Sequence, residues 1–355
     1  MRWNEAVSRI DPYVGGRPIE EVVREFGVLD VVKLASNESP VEPFPEVVEV
    51  LAATASEVNR YPDSAVYALT QEMAEVVDVD PDQLWFGAGS SELIGAIASA
   101  VGGPGTSALM AWPSFGMYPI LTLRAGAEPV MIPLDGDQRH DLDAMAAAID
   151  DSTTVVYVCN PNNPTGTVLP GDAIERFVRG VPDDVLVVVD EAYHEFVTDP
   201  SHRSMDELAV ELPNVVALRT FSKVYGLAGL RIGYGIGQAA TLLGLRRAQR
   251  PFTVTAPAQI AAREAIKHPH RVEGRRLENA AGRRMLMAGL AERGFPAAAS
   301  ETNFVWFETG PMARQLFEDL QAKGVIVRAF DGAVRVSVGT EVENRRFLLA
   351  LDQVL

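Results

Sequence analysis

At 355 residues with 47% hydrophobic content, the chain is long enough for two domains of ordinary size, each with a substantial core. A formal net charge of −17 argues against basic-patch binding, so neither nucleic acid nor an anionic membrane surface is an expected partner. A single cysteine, Cys159, excludes an intrachain disulfide, and MRWNEAVSRIDPY lacks the apolar core of a signal peptide; both predict a cytoplasmic protein.

An N-terminal arm, 1–35, carries a short helix from Ile19 to Glu25 and a short strand at Lys33, which breaks into the polar turn Ser36-Asn37-Glu38-Ser39-Pro40. Pro45 suits the first turn of a helix running to about Val58, and an amphipathic helix is expected over 65–77. From Trp85 to Gly237, strand candidates at 84–86, 107–111, 128–132, 154–158, 185–189, 214–218 and 231–236 alternate with helical patterns at 90–101, 115–124, 141–149 and 170–179. Val185 to Val189 is apolar throughout, as a strand buried on both faces should be. This rhythm predicts an α/β fold over 36–250, a mixed, mostly parallel sheet covered by helices. After Pro251, helices at 256–267 and 271–292 precede strands at 303–307, 325–328 and 334–338, which alternate with helices at 311–322 and 341–354. Residues 251–355 therefore read as a smaller α+β domain, which the arm joins.

Ligands of such sheets collect at the carboxyl ends of the strands, and the unusual motifs fall there. Phe86-Gly87-Ala88-Gly89-Ser90-Ser91-Glu92 is a strand, a Gly-rich turn and a helix start, where free N–H groups and the helix dipole attract anions. Ser caps are common and most bind nothing, so this motif alone is weak. Asn160-Pro161-Asn162-Asn163-Pro164-Thr165-Gly166 is a rigid turn in which Asn163 can offer an amide N–H. Asp190, in Asp190-Glu191-Ala192-Tyr193, ends the most apolar strand, where a carboxylate is costly unless it meets a cation. Lys223 follows Phe221-Ser222 in a chain with only three other lysines, Lys33, Lys267 and Lys323. Arginine stays protonated, whereas a partly buried lysine can lose its proton and attack a carbonyl. Ser222 and Arg231 could hold a phosphate. The five histidines lack a metal-ligand spacing, so no metal is expected.

Together these groups describe one ligand: a lysine for an aldehyde, a cradle for a phosphate, an acid for a ring cation, and Asn163 with Tyr193 for a phenolic oxygen. Pyridoxal 5'-phosphate has all of these. In the order and spacing of AGS, NPNNPTG, DEAY, SK and Arg231, the chain resembles the fold-type I pyridoxal-phosphate aminotransferases over nearly its whole length. Through DPYVGGRPIEEV, KLASNES, NRYPD, TFSKVYGLAGLRIGYGIG and VRVSVGT it is similar to their histidinol-phosphate group.

That resemblance implies roles. Lys223 carries the cofactor covalently and shuttles a proton, Asp190 pairs with the pyridinium nitrogen, and Asn163 and Tyr193 bond the ring oxygen. Phe115 stacks on the ring, while Gly89, Ser90, Ser91, Ser222 and Arg231 hold the phosphate. Tyr61 reaches the cofactor phosphate of a neighbouring subunit, which implies a homodimer with shared sites. Arg335 grips the substrate carboxylate or phosphate, with Arg328, Tyr13 and Asn37 as further substrate contacts. The implied donor is histidinol phosphate and the acceptor 2-oxoglutarate. Ala88, Ser91 and the short Arg328–Arg335 segment depart from that group, and the last is shared with aromatic amino-acid aminotransferases, the alternative reading; a related lyase is a third.

Overall fold

The computed structural model describes residues 1, 5–12 and 15–355. Its strands are β1 (Val32–Lys33), β2 (Leu84–Gly87), β3 (Ser107–Trp112), β4 (Glu128–Pro133), β5 (Thr153–Cys159), β6 (Leu186–Asp190), β7 (Val215–Thr220), β8 (Gly233–Gly237), β9 (Phe304–Glu308), β10 (Val325–Ile326), β11 (Arg328–Phe330) and β12 (Ala333–Ser337). Seven of them form one sheet in the order β2-β8-β7-β6-β5-β3-β4. Neighbours from β7 through β4 pair in parallel, and only β8 runs against its two partners. The expected α/β architecture, a mixed and mostly parallel sheet between helices, is the one observed.

Both faces of the central strands are covered, which is why β5, β6 and β7 are apolar over most of their length, whereas the edge strand β4 is partly exposed. Val156, Val158, Val187 and Val189 turn to one core, whereas Val155, Tyr157, Leu186 and Val188 turn to the other. A separate antiparallel sheet, β11-β12-β9, packs with helices Pro269–Glu292, Ala313–Ala322 and Glu341–Val354 around a third core containing Phe307 and Phe347. The arm returns to this part of the molecule, since β1 pairs in parallel with β10.

Three sequence expectations need correction. The strand predicted over 325–328 is two short strands in different sheets, because the chain changes partner at Val327 while its side chains stay buried and apolar. The helix expected from Ala65 starts at Tyr67: Val66 takes a left-handed backbone (φ 53°), and the Asp63 carboxylate accepts the N–H groups of Ala65 and Tyr67. Helices Asp206–Glu211 and Ala239–Arg246 occupy stretches for which no element was predicted.

A buried charge cluster pins β6 to β7. Glu191 and Arg219 are 1% and 6% exposed, and Arg219 Nε donates to Glu191 Oε2 at 3.0 Å. Ser204 Oγ and the Met205 N–H also donate to this carboxylate, and Arg219 reaches Asp206. Burial pushes the Glu191 pKa up, but the Arg219 and His194 charges and the bonds from Met205 and Ser204 together outweigh it and hold the group below its usual range. Arg219→Ala would leave that carboxylate buried and uncompensated. It should destabilise the protein by about 3–5 kcal/mol in urea denaturation; a loss below about 1 kcal/mol would mean that the cluster is solvated or redundant.

Candidate active site

The strand ends explain the site. β2, β5, β6 and β7 all point the same way, so Gly87, Cys159, Asp190 and Thr220 end on one edge of the sheet, where β8 begins at Gly233. The loops that follow close a cavity of about 330 Å³. Ser90, Ser91, Phe115, Asn163, Asp190, Tyr193, Ser222, Lys223 and Arg231 line it, together with Thr220, Ser36 and Glu38, which the sequence reading did not single out. Lys223 also borders a second cavity, of about 410 Å³, lined by Val41, Phe196 and Met285 among others. That larger space lacks the cradle and the acid, and the chemistry gathers in the smaller one.

One end of the 330 Å³ cavity is built for an anion. Gly89 precedes helix Ser90–Val101 with φ 79°, and no side chain caps the helix, so its first N–H groups face the cavity edge. Arg231, itself left-handed at φ 56°, lays its guanidinium on Gly89, where a Cβ would lie 2.5 Å from Nη2. Arg231 Nη1 reaches Ser222 Oγ at 3.4 Å and the Ala228 carbonyl at 3.0 Å. Gly233 is wedged beneath: a Cβ there would sit 2.6 Å from the Ser90 nitrogen and 2.8 Å from the Arg219 carbonyl. Only glycine allows β8 and the start of the helix to approach this closely.

The other end holds the titratable groups. Burial lowers the Lys223 pKa to about 8, with the Arg335 and Arg231 charges acting in the same direction. Its Nζ donates to the Asn37 carbonyl at 3.2 Å and lies 5.5 Å from the centre of the Tyr193 ring. Asp190 is 2% exposed, and burial raises its pKa to about 6 against the opposing bonds from Tyr118 Oη (2.7 Å) and the Ala192 N–H (3.2 Å). Tyr193 is pushed up by burial and remains a phenol, accepting from Asn37 Nδ2 at 3.0 Å.

The remaining candidates divide. Arg335 is 8% exposed, donates through Nη1 to Asn163 Oδ1 and through Nη2 to the Ala35 carbonyl at 2.8 Å, and lies against the Phe304 and Phe330 rings. Arg328 is directly opposite Arg335 in the β11–β12 register, so the two share a face of the hairpin. Asn37, with φ 54°, ties the cavity wall to Ser337 and Tyr193. Tyr61 lies outside its own chain's cavity, 83% exposed and stacked on Phe252 at 4.8 Å. Tyr13 falls outside the described residues. Tyr118, in the first turn of helix Met117–Ala125, was missed, because nothing in its local sequence sets it apart from an ordinary core aromatic.

The Asp190 shift has a measurable consequence. Its folded pKa exceeds that of an ordinary aspartate, so its contribution to stability is full below about pH 4 and is lost as pH rises through about 6. Asparagine at this position cannot ionise. In the ligand-free protein the stability of Asp190→Asn relative to wild type should therefore improve by about 1–3 kcal/mol between pH 4 and pH 7. A pH-independent difference in chemical denaturation would show that Asp190 ionises as readily folded as unfolded.

Known proteins give this geometry its context. A family model described as "Aminotransferase class I and II" matches residues 29–351. The histidinol-phosphate aminotransferase of Lysinibacillus sphaericus is 41% identical over 361 residues, covering 100% of this chain and 98% of that protein. The aromatic amino acid aminotransferase of Streptomyces avermitilis is 43% identical over 322 residues, 90% of each. The crystal structure of histidinol-phosphate aminotransferase from Sinorhizobium meliloti, in complex with pyridoxal-5'-phosphate, superposes with a TM-score of 0.93 at 27% identity, covering 99% of this chain and 97% of that one. With its family motifs gathered on one edge of the sheet and a family match spanning nearly the whole chain, this protein is a member of the class I and II aminotransferases.

Proposed function

We propose that the protein binds pyridoxal 5'-phosphate and transfers an amino group from histidinol phosphate to 2-oxoglutarate. The observation that carries this reading is the convergence, in one cavity, of a lysine of lowered pKa, a buried carboxylate and an anion cradle. The residues fit the cofactor. The uncapped helix start, Ser222 and Arg231 suit a phosphate dianion, and a cavity of about 330 Å³ suits a ligand of this size. When bound, the cofactor supplies an aldehyde that links to amines and a protonated ring that accepts the electrons left when a substrate α-proton departs.

The chain's own groups do the rest. Lys223 would hold the cofactor and, as a neutral amine, would take and return the proton of the donor's α-carbon. Asp190 would keep a proton on the ring nitrogen, and Phe115 would cover one ring face. Asn163 Oδ1 is occupied by Arg335, which leaves the amide NH₂ to donate to the ring oxygen. Tyr193 accepts from Asn37, which leaves its own O–H for the same oxygen. Arg335 suits either a carboxylate or a phosphate, so one position can serve donor and acceptor in turn, with Arg328 adding a second cation for the phosphate. We read 36–250 as the cofactor-holding domain and 1–35 with 251–355 as the substrate-holding one. The exposed Tyr61–Phe252 stack supports a homodimer in which each chain completes its partner's site.

Transamination of aromatic amino acids is a second reading, favoured by the Phe304 and Phe330 rings beside Arg335 and by the short β11–β12 hairpin.

Borohydride reduction of the cofactor-loaded protein followed by peptide mapping should place the pyridoxyl mass on Lys223; finding it on Lys33, Lys267 or Lys323 overturns the assignment. The donor is tested by the loss of cofactor absorbance with histidinol phosphate, phenylalanine, tyrosine and glutamate. Histidinol phosphate should give the highest specificity constant, and a higher value for phenylalanine or tyrosine would favour the second reading. Arg328→Ala should weaken histidinol phosphate by about 1.5–3 kcal/mol and glutamate by less. Arg335→Ala should cripple both half-reactions.

A further inference from the structure

Tyr118 belongs to no sequence motif that the proposed function uses, yet it makes the shortest contact to the site's buried acid. We propose that Tyr118 is a positioning residue whose phenol holds Asp190 as a carboxylate, so that the shared proton resides on the cofactor's ring nitrogen rather than on the protein. The proposal rests on the pyridoxal-phosphate reading for its second half only.

The geometry is specific. Tyr118 Oη donates to Asp190 Oδ2 at 2.7 Å, and the Ala192 N–H donates to Oδ1 at 3.2 Å, so each carboxylate oxygen holds one donor. The Tyr118 ring is 0% exposed, stacks on Tyr157 with 4.6 Å between centroids and 7° between planes, and meets Phe115 edge-on at 5.5 Å. A ring fixed on two sides aims its hydroxyl without an entropic cost at the moment of binding. Burial and the adjacent Asp190 hold the Tyr118 pKa far above neutrality, so the group is a donor and does not compete as an acid. Of the other titratable groups near Asp190, burial keeps the Cys159 thiol neutral, with a pKa pushed up to about 12, and Tyr193 is neutral for the same reason. Glu191 raises the Asp190 pKa and Lys223 lowers it, but the Tyr118 bond is the leading influence opposing burial. A carboxylate stripped of that bond becomes more basic and competes for the proton the ring needs.

Tyr157 provides an internal control. Its hydroxyl is equally buried, in the same stack, and has no hydrogen-bond partner among the described residues. Tyr118→Phe keeps the ring and both of its packing partners. In ligand-free protein carrying ¹³C-labelled aspartate, with Asp190→Asn assigning the signal, Tyr118→Phe should raise the Asp190 midpoint by about one pH unit. Replacing Tyr118 by the more acidic 3,5-difluorotyrosine should move it the other way. In protein loaded with ¹⁵N-labelled pyridoxal phosphate at about pH 7, Tyr118→Phe should shift the ring nitrogen toward its unprotonated position. It should also lower kcat about tenfold or more with little change in KM. Tyr157→Phe should leave the midpoint and the nitrogen shift at wild-type values. The proposal is overturned if Tyr118→Phe leaves either value unmoved, or if Tyr157→Phe moves them equally, which would mark packing alone. If the labelled cofactor does not bind at all, the cofactor reading fails separately, and the ligand-free midpoint still decides whether Tyr118 holds Asp190 ionised.

Discussion

Two acids sit side by side at the end of β6, and the chain treats them differently. Glu191 turns to the face where Arg219 waits, and its charge is neutralised within the protein. Asp190 turns to the opposite face, where it finds hydrogen-bond donors but, among the described residues, no guanidinium or ammonium bonded to it. A buried carboxylate with donors on both oxygens and no bonded cation is an unfinished arrangement. The alternation of a β-strand creates the difference: one step along the backbone moves a side chain from a core whose charges are paired to the wall of the cavity. The cradle, the lysine and the aromatic wall are all positioned relative to that acid.

The positioning follows from strand direction. A mostly parallel sheet brings the carboxyl ends of distant segments to one edge, and one antiparallel strand, β8, brings Arg231 to that edge from the other direction. The close approach of Gly233 to Ser90 then joins the two halves of the anion cradle, which are separated in sequence by more than a hundred residues. Folding the sheet therefore brings the cradle and the acid together, while Asn37 and Arg335 reach them from outside it.

Much of this is legible in the sequence, because the signals are local. Apolar runs mark strands buried on two faces, glycines mark close approaches, and a scarce lysine among many arginines marks a need for an amine. Asp190, Asn163, Ser222 and Lys223 follow from those signals, and the structure brings them to one cavity. Partner choice is not local. The run from Val325 to Arg328 looks like one strand because three β-branched residues in succession favour extended backbone, yet two sheets divide it. Six-residue helices such as Asp206–Glu211 carry too little periodicity to stand out. Tyr118 is invisible for a different reason: a buried aromatic on a helix is ordinary core until the atom its hydroxyl touches is known.

The short segment around Asn37 joins parts of the molecule that lie 300 residues apart in the chain. Its carbonyl receives Lys223 and Asn303, its side chain meets Tyr193 and Ser337, and the neighbouring β1 pairs with β10. Synthesis runs from the amino end, so Asn37 is in place 300 residues before Ser337. No nascent chain shorter than about residue 337 can give Lys223 its finished surroundings, however well the seven-stranded sheet has already folded. The lowered pKa of Lys223 therefore depends on contacts that close across some 300 residues of chain, and the segment that walls the cavity is also the tie between the two ends of that span.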